Sequence, residues 1–344
     1  MQYSTFAAID IGSYDVILEI FEISKKQGIR SVDKICHRME LGKDTYTLGK
    51  IRPEMEEELC RVLADFVRIM EGYRVDDYRA TASSAISEAS NSLYVLGKIH
   101  QLTGLSVTVL SNSEQRFLSY KALAAMEDNF NKIIEKGTAI LDLDGGSFQI
   151  SLFDKDALVT TQNIRMGSLR IRERLAGIQS ETEHYEEMVE ELIWNEVSSF
   201  KKMYLKDRKI ENIMLIGDVF TDSVYQNIEE KTTKIISREN FNTWYEKIIR
   251  QSPMELAVKL GIPLENASLM YPSAVIYKCL IDMMGAEHIW IPGVHMTRGI
   301  AYEYAEQMKL LKGGHNFEND ILVASRNIAK RYSTGKDHIK GTTD

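Results

Sequence analysis

The chain has 344 residues, 44% hydrophobic and 27% charged, with a net charge of −8. That length exceeds one ordinary core and points to two domains, while the acidic balance argues against a nucleic-acid partner, whose binders carry a basic surplus, without barring a polyanion from a local basic cleft. There is no run of about 18 apolar residues to span a membrane, the N-terminus lacks the basic-then-apolar order of a signal peptide, and three scattered cysteines without metal-ligand spacing read as reduced, buried thiols of a cytoplasmic protein.

In chain order, "TFAAIDIG" and "DVILEIFEI" are rich in β-branched and aromatic residues and read as a hairpin turned at Gly12-Ser13-Tyr14. "RPEMEEELCRVLADFVRIMEGY" sets Met55, Leu59, Val62, Leu63, Phe66 and Met70 at helical spacing behind Pro53. "YRATASSAISEASN" is a strand end entering a capped helix, and "NSLYVLGKIHQLTG" is a helix stopped by Gly104. "LSVTVLSNS" is a strand that feeds the helix "SEQRFLSYKALAAME". The polar stretch "DNFNKIIEKG" marks the expected domain boundary. Beyond it, "TAILDL", "FQISLFD" and "LVTTQNIRMG" read as consecutive strands, followed by the acidic helix "SETEHYEEMVEELIWNEVSSFKKMY" and the buried strand "IENIMLIGD". "SPMELAVKLGIP", "PSAVIYKCLIDMMG" and "MTRGIAYEYAEQMKLLKGG" look helical, and a basic helix with a polar tail closes the chain. This alternation predicts an α/β protein.

The two halves share one feature. Each opens on a strand–turn–strand unit whose first strand ends on an aspartate, Asp10 in "AAIDIGSYDVILEIFE" and Asp142 in "AILDLDGGSFQISLFD". Backbone N–H groups of a glycine turn approach a phosphate closely because no Cβ intervenes. An acid at each strand end can hold a divalent cation against that phosphate. Two such hairpins facing each other would clamp a phosphoryl chain.

Other residues have plainer readings. Glu114 in a first helical turn complements the helix dipole, although it also follows a strand at the edge where α/β proteins bind ligands. Arg165, Arg170, Arg172 and Arg174 read mostly as a solvated face, Arg298-Gly299 as a helix-start turn, and His288 and His295 as incidental.

At these residues the chain resembles the exopolyphosphatase/guanosine pentaphosphate phosphohydrolase (Ppx/GppA) family. "AAIDIGSYDVILEIFE" is similar to its first phosphate loop, D-[IL]-G-S-N-S, and "AILDLDGGSFQI" to its second, D-[IL]-G-G-G-S-T-E. "LGKDTYTLGKIRPEMEEEL", "SSAISEASN", "VLSNSEQRFLSYKAL", "RMGSLRIRE", "ELAVKLGIPLENASLMYPSAVI" and "TRGIAYEYA" resemble further family segments in the right order. The resemblance implies an α/β fold of two actin-like (ribonuclease H-like, ASKHA) domains, 1–127 and 128–312, with a phosphate-binding cleft between them. Residues 313–344 would be a C-terminal helix and tail, similar to the start of the helical domain that long members append; the chain reads as a short member or a truncated one. It further implies a Mg²⁺-dependent hydrolase of inorganic polyphosphate or pppGpp, with Asp10 and Asp142 on the metal side and Glu114 as general base. Gly12, Ser13, Gly145, Gly146 and Ser147 would form the phosphate cradle, and a homodimer is implied by the resemblance alone.

Several positions depart from the family pattern. Asp144 replaces the first glycine of the second loop, Phe148-Gln149 its Thr-Glu, Ser87 a phosphate-contacting Arg, and Tyr14 an Asn. "GDVFTD" at Gly217 matches the family's small-residue loop poorly and offers no adenosine-binding glycine loop, which disfavours a sugar or acetate kinase. Lost donors and ligands lower the expected activity and keep open a non-catalytic sensor of polyphosphate or an alarmone.

Overall fold

A computed structural model describes residues 3–126, 130–155, 157–176, 185–205, 208–227 and 234–311, with a few more between 322 and 329. The tail expected over 313–344 falls almost wholly outside them, as does the start of the acidic helix.

The first half runs β1 (Ser4–Ile11), β2 (Asp15–Ser24), β3 (Gly28–Arg38), α1 (Leu41–Leu48), α2 (Pro53–Tyr73), β4 (Asp77–Ala82), α3 (Ser84–Ser87), α4 (Ser92–Thr103), β5 (Val107–Val109) and α5 (Asn112–Met126). The second half runs α6 (Phe130–Ile134), β6 (Thr138–Leu143), β7 (Phe148–Asp154), β8 (Ala157–Ile164), α7 (Ser168–Leu175), α8 (Tyr185–Phe200), β9 (Asn212–Ile216), α9 (Val219–Asn227), β10 (Ile235–Ser237), α10 (Arg238–Ile249), α11 (Pro253–Leu260), α12 (Leu264–Met284), β11 (His288–Trp290) and α13 (Met296–Gln307). A π-helical turn, Lys201–Leu205, extends α8.

The two sheets repeat one topology. The first has the order β3-β2-β1-β4-β5, and the second reads β8-β7-β6-β9-β11, with β10 added at its edge. In each, an antiparallel three-strand meander continues into parallel strands. The register carries the repeat to single residues: Asp10 pairs with Ile17 across its hairpin, and Asp142 with Gln149 across the other. Strands buried on both faces, such as Asn212–Ile216, read as continuous apolar runs.

Each sheet has its own core. Leu59, Val62, Leu63, Phe66 and Met70 of α2 pack under β1 and β2, as their helical spacing requires. The buried face of α12, with Tyr277, Leu280 and Ile281, packs under β6, β7 and β9. Helix α5 is shared: Leu118 joins Phe6 and Phe21 of the first sheet, whereas Tyr120 and Leu123 join Ile140, Phe153 and Met214 of the second. Helix α13 returns to the first sheet, where Ile300, Ala301 and Tyr304 pack on Phe6 and Ala8. It crosses α5 so closely that a Cβ on Gly299 would lie 2.2 Å from the Leu118 carbonyl oxygen, which is why glycine stands there. No described helix is long and apolar enough to cross a membrane.

Candidate active site in the interdomain cleft

The β1–β2 turn is closed by Gly12 N–H donating to the Asp15 carbonyl at 2.9 Å, and the β6–β7 turn by Asp144 N–H donating to the Ser147 carbonyl at 2.9 Å. The two turns meet. The Ser13 hydroxyl lies 2.6 Å from the Tyr46 hydroxyl and 3.2 Å from Ser84 Oγ, and it donates to Asp144 Oδ2 at 3.4 Å. Asp144 Oδ1 in turn accepts the Gly145 N–H at 2.6 Å. Gly146 sits against Tyr46 with no room for a side chain: a Cβ there would be 2.1 Å from the phenol oxygen.

Beside this junction opens a cleft of about 420 Å³. Of the residues singled out by sequence, Asp10, Gly12, Asp142, Gly145 and Ser147 line it. Ser13 is wholly buried in the hydroxyl junction behind it, and Gly146 packs on Tyr46. Glu114 stands outside the lining and is exposed. Its carboxylate accepts the Ser111 N–H at 2.7 Å while Ser111 Oγ accepts the Glu114 N–H at 3.3 Å, the reciprocal pair of a helix capping box. The next residue, Gln115, is buried and lines the cleft.

The cleft is crowded with acids, namely Asp10, Asp15, Asp142, Asp144, Asp218 and Asp222. Burial, with repulsion from Asp15 and Asp144, pushes the Asp10 carboxyl up to about 8. Burial likewise raises Asp142 and Asp144 to about 6 and Asp218 to about 7. Asp142 accepts the Ser119 hydroxyl at 2.7 Å, whereas Asp10 has only a 3.4 Å contact from Thr81. Gln149 is 5% exposed, and its Oε1 has no hydrogen-bond partner.

Sequence reading missed several contributors. His295, incidental by its sequence context, lines the cleft with its Nε2 3.5 Å from Asp222 Oδ1, and burial lowers its pKa. Arg165 and Arg174 are exposed, as a solvated face requires, but Arg170 and Arg172 join the halves. Arg170 Nη2 donates to both Glu88 oxygens at 3.0 Å, its Nε donates to the Gly146 carbonyl at 2.8 Å, and its guanidinium lies 3.8 Å from the Tyr46 ring centroid. Arg172 donates to Glu40 at 2.7 Å and Ser268 at 2.9 Å. The Tyr14 hydroxyl donates to Asn266 at 2.7 Å, another bond between the halves. No signal within a single segment pairs an arginine with a glutamate some eighty residues away.

Two repeats of one sheet topology, each placing a glycine turn and an aspartate at a shared cleft, define a two-domain actin-like protein. The chain belongs to the Ppx/GppA phosphatase family, whose profile matches residues 19–308. Solved structures with the same fold include an exopolyphosphatase from Cytophaga hutchinsonii, with a TM-score of 0.78 and 17% identity over 88% of this chain and 98% of that one. The Aquifex aeolicus family member gives a TM-score of 0.72 and 17% identity over 89% of this chain and 99% of that one. Among curated relatives, a bifunctional 3-dehydroquinate synthase/phosphatase of Fusobacterium nucleatum is 21% identical over 310 residues, 82% of this chain and 44% of that protein. Exopolyphosphatase 1 of Mycobacterium tuberculosis is 24% identical over 144 residues, 42% of this chain and 40% of that protein. The chain thus spans less than half the length of these curated relatives in the matched regions.

Proposed function

We propose that the cleft holds the phosphate chain of inorganic polyphosphate between the two turns and hydrolyses its terminal phosphoanhydride by water attack, with Mg²⁺ as the cation and at a low rate. The observation that carries this reading is the convergence of Gly12, Gly145 and Ser147 on the cleft that Asp10 and Asp142 line. Hydrolysis of a phosphoanhydride needs charge neutralisation and in-line positioning more than covalent chemistry. The Ser147 hydroxyl supplies a donor; the Gly12 N–H closes its own turn on the Asp15 carbonyl, and the Gly145 N–H is taken by Asp144, which a seated phosphate would displace.

The donor set fits Mg²⁺. Among the described residues no group of three or more His, Cys, Asp or Glu is arranged to hold a metal alone. Mg²⁺, however, is commonly held by one or two carboxylates together with substrate phosphates and water. Asp10 and Asp142 would hold it, and the unpartnered Gln149 Oε1 is a further hard oxygen in the same lining. When bound, the ion supplies charge neutralisation at the phosphoryl oxygens.

The low rate is assigned to Gln115, which faces the cleft from the start of α5 where the resemblance placed a general base, with Asp10 and Asp142 given to the metal. A cleft-facing amide orients a water but does not take its proton as a carboxylate does. A second reading, a receptor that binds a phosphate chain without turnover, is favoured by the amides at Gln115 and Gln149. Hydrolysis of pppGpp is the alternative within the enzyme class. The test is phosphate release from medium-chain polyphosphate, and separately from pppGpp, with and without Mg²⁺, for wild type and Asp142→Asn. Metal-dependent release that the variant loses supports the hydrolase. Tight binding without release supports the receptor, and neither binding nor release rejects both.

A further inference from the structure

The basic side chains around the cleft fall into two groups. Arg170 and Arg172 are spent on glutamates that join the halves. Lys34 and Arg38 also line the cleft, yet neither makes a hydrogen bond or an ion pair with any described residue. They sit on β3, at the edge of the first sheet. Alternate residues of a strand share a face, so Lys34, Cys36 and Arg38 project together, and all three are exposed; Cys60 and Cys279 are buried as expected of the cysteines, but Cys36 is not, because it lies on the edge strand.

Sheet register connects this face to the first turn. Asp10 pairs with Ile17, and Ile17 pairs with Cys36, so Lys34 and Arg38 flank the outer end of the row that begins at Asp10. That end lies two strand spacings, roughly 10 Å, from β1, and the two basic residues are about 13 Å apart along β3. Arg38 lies opposite Asp15 in register, but Asp15 Oδ2 accepts from the Cys36 thiol at 3.4 Å and forms no ion pair with the guanidinium.

We propose that Lys34 and Arg38 form a second phosphate subsite, a basic rail along β3 that takes the part of a phosphate chain reaching beyond the two turns. This rests on the reading that the cleft binds a phosphate chain and adds a basis for preferring long ligands. Glu19 and Asp15 are the register partners of Lys34 and Arg38, yet neither forms an ion pair with them, so two cations on a single strand face stay available to a repeating anion.

Calorimetric titration tests the rail, with inorganic tripolyphosphate and medium-chain polyphosphate as probes at low and high salt. The proteins are wild type, Lys34→Ala, Arg38→Ala, the double variant, and Lys26→Ala in the exposed β2–β3 turn as a charge control. Each rail substitution is expected to weaken the long chain roughly tenfold, the effect of a lost charge-assisted contact. Tripolyphosphate affinity should stay within about twofold, and the double variant should show a shallower salt dependence for the long chain. Equal loss for both probes, no loss for either, or the same loss from Lys26→Ala overturns the rail. If wild type binds neither probe, the phosphate-chain reading itself fails, and the rail with it.

Discussion

The Glu114 carboxylate and the Ser111 hydroxyl each accept the other residue's backbone N–H, at 2.7 and 3.3 Å, so this acid closes the start of α5 and its neighbour Gln115 faces the cleft. Ser111→Ala should then cost about 1 kcal/mol, the usual worth of an N-cap, and Glu114→Ala a smaller amount. Neither should change phosphate release beyond what lost stability explains. Urea denaturation beside a release assay checks this; abolished release in a fully folded Glu114→Ala protein would return the base role to Glu114.

The two halves are tied by Arg170, which bonds Glu88 across the junction while stacking on Tyr46. Both charged side chains are mostly shielded, at 22% and 26% exposure. Removing either leaves a shielded charge unpaired, so Arg170→Ala or Glu88→Ala should each cost about 1–3 kcal/mol. The double variant should cost less than the sum of the two, and a double-mutant cycle by chemical denaturation measures that coupling. Strict additivity would mean that the pair contributes nothing to holding the halves together.

Burial holds Asp10 at about 8 against an ordinary 3.8, so the folded state keeps a proton that the unfolded chain has lost. The stability this proton represents is complete below about pH 4 and disappears as pH rises through about 8. Asp10→Asn removes the ionisation. The variant should match wild type near pH 4 and exceed it near pH 9 by on the order of a few kcal/mol in metal-free buffer. Denaturation at both pH values checks the sign, and a variant less stable at pH 9 contradicts it.

Much of the fold was legible because its signals are local. The hairpin around Gly12-Ser13-Tyr14, the α2 periodicity behind Pro53 and the stop at Gly104 each lie within one segment, and the paired aspartates exposed the repeat. Strand β3 was not legible. Its sequence, "GIRSVDKICHR", is largely polar because it lies at a sheet edge with mostly exposed side chains, so alternation there carries little hydrophobic contrast. That strand carries Lys34 and Arg38, which line the cleft without an ion pair to any described residue. At α5, the Ser-x-x-Glu spacing of Ser111 and Glu114 was itself a cap signature. A resemblance that aligns acids cannot tell which of two adjacent residues faces a cleft. Contacts such as Arg170 to Glu88, Tyr14 to Asn266 and Ser13 to Tyr46 depend on how the halves meet, and no periodicity encodes that.

Under the proposed hydrolase, the amide of Gln115 stands in the cleft where a carboxylate would act as general base. The most direct measurement is the rate of phosphate release from medium-chain polyphosphate with Mg²⁺, for wild type and Gln115→Glu under single-turnover conditions. Slow or absent release by wild type is expected, with a gain of about 10²–10⁴-fold in the variant, the typical contribution of a general base. Unchanged release in a folded variant that still binds the substrate would contradict it.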